Sequence, residues 1–316
     1  MFSKKKPTVD LVIPVYNEAG VVEQTHARIS AALDGLPYDF HFIYVNDGSR
    51  DGTADSLSTL AARDPRVTPL SLSRNFGHQA ALTAGLDAST ADVVITMDGD
   101  GQHPPEMISE MLRLVGQGYD IVQTQRMDEA QPASFKKWTS GLFYRLINSI
   151  SGTQVLAGAA DFRALSRQAV DALKAMPEYH RFLRGMVAWI GYPTVILSYQ
   201  PAERISGQSK YSTRKMFRLA MDAIFSFSLV PLYIGLSMGG LFLFMAFAEA
   251  VYVLSFWVTG RTSGLAPGWS SLMFMLLIVG GILMILLGFI GVYIGYIFQE
   301  VKHRPVYLLK KDPPHD

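Results

Sequence analysis

Two aspartates one glycine apart stand at the end of an apolar run, Val93-Val94-Ile95-Thr96-Met97-Asp98-Gly99-Asp100-Gly101-Gln102-His103-Pro104-Pro105. No Lys or Arg adjoins them. Carboxylates this close repel each other unless a cation joins them. Hard oxygen ligands suit Mg²⁺ or Mn²⁺, and Mg²⁺ typically links one or two carboxylates to substrate phosphates. A solvated acidic turn is the plainer account of a bare Asp-x-Asp. The strand pattern in front and the Gly/Pro punctuation behind weigh against it.

The chain also carries cations at spacings that suit phosphate. Arg181 and Arg184 fall on one side of a short helix pattern; a solvated helix face is the alternative. Arg204, Ser209 and Lys210 set two cations and a hydroxyl around Gly207. Such a set can grip a diphosphate while the glycine lets the loop move. Attraction of a basic loop to anionic lipid is the blander account. There is no G-x-G-x-x-G after the first strand pattern and no G-x-x-x-x-G-K-[ST] anywhere, so no glycine loop cradles a phosphate.

The elements that position these residues alternate along 8–126. Strand patterns at Thr8–Val15, Phe40–Val45, Val67–Leu72, Val93–Met97 and Asp120–Gln125 enclose helix patterns at Val21–Leu33, Thr53–Arg63, His78–Ala88 and Glu106–Val115. This alternation predicts a doubly wound, mostly parallel α/β sheet. Polar motifs follow four successive strands, where such a sheet builds its ligand site. Residues 127–165 break the alternation: a polar loop at 131–137, then helical spacing over Trp138–Ile150. A late strand is predicted at Val195–Tyr199.

Composition divides the chain. Its 316 residues are 49% hydrophobic with a net charge of +1, and it has no cysteine. Disulfides and thiolate metal sites are excluded, and no bulk field argues for nucleic acid. The basic N-terminus leads straight into a strand pattern and does not read as a signal peptide. Between Asp222 and Arg261 the only charged residue is Glu249, and none lies between Arg261 and Glu300. Two transmembrane helices are predicted, 229–258 and 269–298, since ~20 apolar residues cross a bilayer core. The predicted organisation is a domain over 1–211, an interfacial amphipathic helix over 212–228, the two-helix region over 229–298 and a tail over 299–316. Dense Lys and Arg before the first span and after the second put both termini and the catalytic domain in the cytoplasm, by the positive-inside rule. The tail Arg304-Pro-Val-Tyr-Leu-Leu is expected to return onto the soluble domain.

Pro14-Val-Tyr-Asn-Glu18, Asn46-Asp-Gly-Ser49, Arg74-Asn-Phe-Gly77 and Asp98-Gly-Asp-Gly-Gln-His-Pro-Pro105 together resemble the motif series of inverting glycosyltransferases of family 2, with the GT-A fold. The nearest branch transfers a sugar to a polyprenyl phosphate, as bactoprenol glucosyltransferases and dolichol-phosphate mannose synthases do. The resemblance implies that Pro14, Tyr16, Glu18 and Asp47 line the base and ribose pocket. It implies that Asp98, Asp100 and Gln102 surround a Mg²⁺ or Mn²⁺ ion, with Asp98 also facing the nucleotide sugar. It makes Asp161, in Asp161-Phe162-Arg163, the candidate base, with an orienting role the alternative. Arg184 and Ser209 are implied donor contacts, and Arg204 and Lys210 would stabilise the leaving nucleoside diphosphate. This chain has Asn46 where the family usually has an acid. A Ser49–Asn46 turn of the Asx kind is the plain account of that stretch.

The resemblance implies a hexosyltransferase using UDP-glucose and undecaprenyl phosphate in a bacterial inner membrane. Its product would feed antigen or glycan modification, and the enzyme would be a homo-oligomer, a tetramer in relatives. A GDP-mannose-using mannose synthase and an aminoarabinose transferase stand beside it. A non-catalytic membrane scaffold is the reading from another class, and intact Asp98, Asp100, Arg204 and Lys210 argue against it.

Overall fold

A computed structural model of the chain describes residues 6–127, 156, 159–200 and 268–310, with scattered positions between 237 and 260. Helix Trp138–Ile150, the interfacial helix over 212–228, and Arg204, Ser209, Lys210 and Glu249 lie outside the described residues.

The strands are β1 (Thr8–Val15), β2 (Asp39–Asn46), β3 (Val67–Ser71), β4 (Val93–Thr96), β5 (Ile121–Arg126), β6 (Ala159–Ser166) and β7 (Thr194–Tyr199). Among the described residues they form one sheet in the order β3-β2-β1-β4-β6-β5-β7. All run parallel except β6, which is antiparallel to both β4 and β5. The helices are α1 (Val22–Leu33), α2 (Thr53–Arg63), α3 (His78–Ala88), α4 (Ile108–Gly116, after a 3₁₀ turn at Pro105–Met107), α5 (Arg167–Ala175), α6 (Leu183–Trp189) and α7 (Trp269–Val301).

β1 and β4 read as continuous apolar runs because helices cover both faces of the sheet. Leu11, Val12, Ile13 and Ile95 are fully buried, and Phe42, Tyr44 and Phe162 pack in the same core. Each such side chain contributes ~1.5–3 kcal/mol by leaving water.

Two elements depart from the expected order. Residues 159–166 form β6, inserted antiparallel beside β4. Ser166 then caps α5, its Oγ accepting from the Ala169 N–H at 3.2 Å. This reversal matters for the site. Thr96 pairs with Arg163, so the start of β6 lies against the carboxyl end of β4.

The chain divides into two compact units, Met1–Phe217 with Arg304–Asp316, and Arg218–His303. In the second, α7 contains one stretch, Ile278–Val301, long and apolar enough to cross a membrane, with a mean hydropathy of 2.4. It is the only such helix among the described residues. The other predicted span, 229–258, lies largely outside them; its described positions, Leu241, Phe244 and Val251 among them, are helical and exposed. In the first unit, Tyr307–Lys310 returns to the sheet edge. Leu309 pairs antiparallel with Leu72, as the tail was expected to do.

A partly buried polar network ties α1 to β2 and to the chain entering β3. His26 Nε2 lies 3.2 Å from Asp64 Oδ2, and His26 Nδ1 lies 3.2 Å from the Tyr44 hydroxyl oxygen. Arg66 clasps the Asp64 carboxylate with Nε and Nη2. Arg66 holds the Asp64 carboxyl well below the carboxylate range, while burial pushes the His26 ring down. Both groups therefore bind fewer protons folded than unfolded as pH falls. Stability is expected to decline first below the unfolded histidine value near 6.5, then further below the carboxylate value near 3.9. Melting temperature against pH checks this. Asp64→Asn should flatten the decline below pH 4; an unaltered curve would refute the assignment.

Candidate active site

The loops after β1, β2, β3 and β4 are bound to one another. The Asn17 N–H donates to Ser49 Oγ and the Arg50 N–H to Asn17 Oδ1, both at 2.9 Å. The Glu18 N–H donates to Thr53 Oγ1 at 2.9 Å. The Ser49 N–H donates to Asn46 Oδ1 at 2.9 Å, the local turn expected there. Asp47 is 4% exposed. Its carboxylate accepts from the backbone N–H groups of Phe76 (2.7 Å) and Gly77 (3.0 Å). Asp47 thereby joins the β2 loop to the β3 loop, at the place where the sequence put the base and ribose pocket. Pro14 is buried and Tyr16 half-buried beside this loop cluster.

Gly48 makes that joint possible. Its φ is +63°, and a Cβ there would lie 2.3 Å from the Arg74 carbonyl carbon and 2.5 Å from the Asn75 nitrogen. Gly48→Ala is expected to cost about 2–4 kcal/mol from backbone strain and overpacking. That is a Tm roughly 5–10 °C lower; an unchanged Tm would refute the close approach.

After β4 the acidic turn folds back on itself. The Gln102 N–H donates to Asp100 Oδ1 at 3.1 Å, and Gly101 takes φ +75°. The Asp98 N–H donates to His103 Nδ1 at 3.0 Å, so the neutral ring carries its proton on Nε2, 3.7 Å from Asp98 Oδ2. His103 is itself stacked on Phe162, with centroids 4.9 Å apart. Gly99 packs against the β1 loop, where a Cβ would come within 2.9 Å of Glu18 Oε2. Glu18 and the aspartates therefore share one small region.

β6 brings in the last acid. Asp161 is 4% exposed. Its carboxylate accepts from Arg184 Nε (3.1 Å) and Nη2 (2.9 Å), and it is paired with Arg163. His78, the first residue of α3, places Nε2 3.5 Å from Asp161 Oδ2 and 3.3 Å from Asp98 Oδ1. Burial pushes the His78 ring down, but the contact with Asp161 and the charges of Asp98 and Asp161 outweigh it and lift the ring to about 9. At neutral pH His78 is a cation bridging two carboxylates. Burial also pushes the Asp161 carboxyl up, yet Arg184, His78 and Arg163 hold it well below the carboxylate range.

These contacts bear on the roles of Asp161, of the two arginines and of two histidines. A carboxylate so held is a weak base, so the geometry suits Asp161 to orienting rather than proton abstraction. Arg184 reaches Asp161 from α6. Arg181 precedes that helix and donates to the Leu173 carbonyl at 3.0 Å, so the two arginines do not form a common phosphate grip. His78 and His103 had been assigned no role. The sequence did hold a signal for His78: it directly follows Arg74-Asn-Phe-Gly77, and an acid-rich site needs a counter-charge.

No group of three or more His, Asp or Glu among the described residues would cage a metal ion unaided. A divalent ion shared with phosphates does not need one. The residues present fit such an ion: Asp98 Oδ1 is buried without a hydrogen bond, with the His78 ring 3.3 Å away, and Asp100 is two residues away on the same turn. A cavity of about 800 Å³ lies elsewhere, at the amino-terminal end of β2, lined by His26, Asp34, Tyr38 and Arg66 among others. None of the four motifs reaches it.

A family model described as glycosyl transferase family 2 matches residues 10–174. The chain belongs to glycosyltransferase family 2. The sheet of this family 2 transferase is mostly parallel, with β6 the one reversed strand among the described residues. It is 38% identical over 306 residues to an uncharacterized glycosyltransferase, YkcC, of Bacillus subtilis, covering 95% of this chain and 93% of that one. It is 37% identical over 308 residues to the bactoprenol glucosyl transferase of Shigella phage SfV, covering 96% and 98%. A glucosyl-3-phosphoglycerate synthase from Mycobacterium tuberculosis, solved with Mn²⁺ and UDP-glucose, aligns over 69% of this chain and 77% of its own at 19% identity, with a TM-score of 0.46.

Proposed function

We propose that this family 2 transferase is an inverting enzyme that moves a hexose, glucose from UDP-glucose, onto a polyprenyl phosphate such as undecaprenyl phosphate. The observation that carries the reading is the meeting of Asp98, His78 and Asp161 at the carboxyl end of β4. There a buried carboxylate oxygen has no hydrogen bond and the neighbouring acid is held ionised. Full-length similarity to a bactoprenol glucosyl transferase and the apolar helix α7 support a lipid acceptor and a membrane location. Both termini and the catalytic domain on the cytoplasmic side, and a homo-oligomer, belong to the same proposal.

In the transfer, an acceptor phosphate oxygen attacks the anomeric carbon from the face opposite the leaving group. The bond from that carbon to the diphosphate breaks, and the nucleoside diphosphate departs with the electron pair. A phosphate monoester has its second pKa near ~6 and is largely ionised at pH 7, so no strong base is needed. This agrees with the low proton affinity of Asp161, which orients through Arg184 and His78. Asp98 and Asp100, with Gln102 beside them, would hold a Mg²⁺ or Mn²⁺ ion, which when bound neutralises diphosphate charge. Glu18, Tyr16 and Pro14 are proposed to face the nucleoside, and Arg204, Ser209 and Lys210 the departing diphosphate.

The test is transfer from labelled UDP- and GDP-sugars to undecaprenyl phosphate in detergent, with Mg²⁺, Mn²⁺ or EDTA. Metal-dependent transfer from UDP-glucose is expected. Transfer from GDP-mannose instead would move the chain to the mannose synthase branch, and no transfer from any donor would overturn the proposal.

A further inference from the structure

We propose that the segment Tyr307–Lys310 is a positioning element of the active site: it closes the open edge of the sheet and fixes both flanks of α3. β3 is the edge strand, and the connection from it to α3 runs through Leu72–Gly77. On one side this connection is held by β2, through the Leu72 N–H donated to the Asn46 carbonyl at 2.9 Å and through Asp47 as described. On the other side it is held by the tail. The Ser73 N–H donates to the Leu308 carbonyl at 2.8 Å, and the Lys310 N–H donates to the Ser71 carbonyl at 2.7 Å. In the last turn of the helix, Asp87 Oδ2 accepts from the Tyr307 hydroxyl at 3.0 Å. The tail therefore grips the chain just before α3 and again at its last turn.

α3 carries what the site depends on. His78 bridges Asp98 and Asp161. Gln79 Oε1 accepts from the Leu183 N–H at 3.1 Å, at the start of α6. The next residue of α6 is Arg184, which clasps Asp161. A slip of α3 along the sheet would move both contacts together. Paired backbone groups at a sheet edge resist such a slip, whereas an unpaired edge does not.

The proposal rests on the transferase reading, so the experiment separates the two. Lys310→Pro removes the N–H donated to Ser71; Lys310→Ala keeps it. Full-length variants are compared for kcat and donor KM, and for hydrogen exchange at Ser73, Phe76 and Gly77. Lys310→Pro should lower kcat about tenfold, the weight of one lost hydrogen bond, with donor KM changed less than about twofold. Exchange at the three amides should quicken, and Lys310→Ala should match the parent. Tyr307→Phe, a milder change that leaves the backbone pairing intact, should lower kcat in the same sense by a smaller factor. Equal kcat and equal exchange in the Pro and Ala variants would overturn the proposal. A parent with no transfer activity would sink the transferase reading, while the exchange comparison would still decide whether the tail holds the loop.

Discussion

Asp161→Asn is expected to abolish sugar transfer and, in the same protein, to lower its melting temperature. The change removes the one negative charge that Arg163, Arg184 and His78 share. Arg163 is 2% exposed and has no route to water. Removing one partner of a buried ion pair costs ~3–5 kcal/mol, because a charge is left uncompensated. That is a large part of the ~5–15 kcal/mol that holds a domain together, so the variant should fold but melt early. The joint loss separates two roles. A base that only abstracted a proton would take turnover with it and leave stability intact. Thermal unfolding beside the transfer assay reads both, and an unchanged Tm would return Asp161 to the role of base.

Asp98→Asn is expected to show the opposite pattern. Its Oδ1 is buried without a hydrogen bond, and the His78 ring 3.3 Å away keeps Asp161 as a partner when Asp98 is neutralised. Neutralising it should alter stability by no more than ~1 kcal/mol. Transfer should fall on the order of 10²–10³-fold, the scale for loss of one well-placed electrostatic contact. Nucleotide-sugar binding, measured by calorimetry with and without Mg²⁺, should lose its dependence on the ion. Retained metal dependence in the variant would mean that Asp98 is not a ligand. The two aspartates, both within reach of His78, would then need new roles.

Much of the fold was legible, and what escaped has a physical cause. β1, α2 and α3 fall where the patterns put them, at Thr8–Val15, Thr53–Arg63 and His78–Ala88. In each, a continuous or periodic apolar run ends at polar or turn-forming residues, Asp64-Pro65 after α2 and Ser89-Thr90 after α3, and nothing competes with that signal. β6 was missed because it buries Asp161 and Arg163 as an ion pair. Pattern reading treats charged residues as exposed, so a strand with both in its centre looks like a loop. The site was legible as residue types gathered at strand ends, but less so as roles. Asp47 has the look of a ligand contact, and nothing in the sequence signals that it also accepts from the backbone N–H groups of Phe76 and Gly77. His78 looked like an ordinary first helical residue. Its charge exists only because β4 and β6 bring two carboxylates to it from 20 and 83 positions away.

The tail contact has a consequence for how the protein is made. Tyr307 and Asp87 are 220 residues apart, and the membrane-type helix α7 lies between them. At ~5–20 residues per second, synthesis of that interval takes roughly 10 to 45 s. Once Pro105 has been made, the nascent sheet has β1 to β4 and all four motifs but an unsealed β3. A bare edge invites pairing with another chain. A ribosome that stalls between Pro105 and Tyr307 therefore releases the form most prone to associate, with every motif present and the edge exposed. The last strand partner to be synthesised is the one that makes the first-built sheet safe.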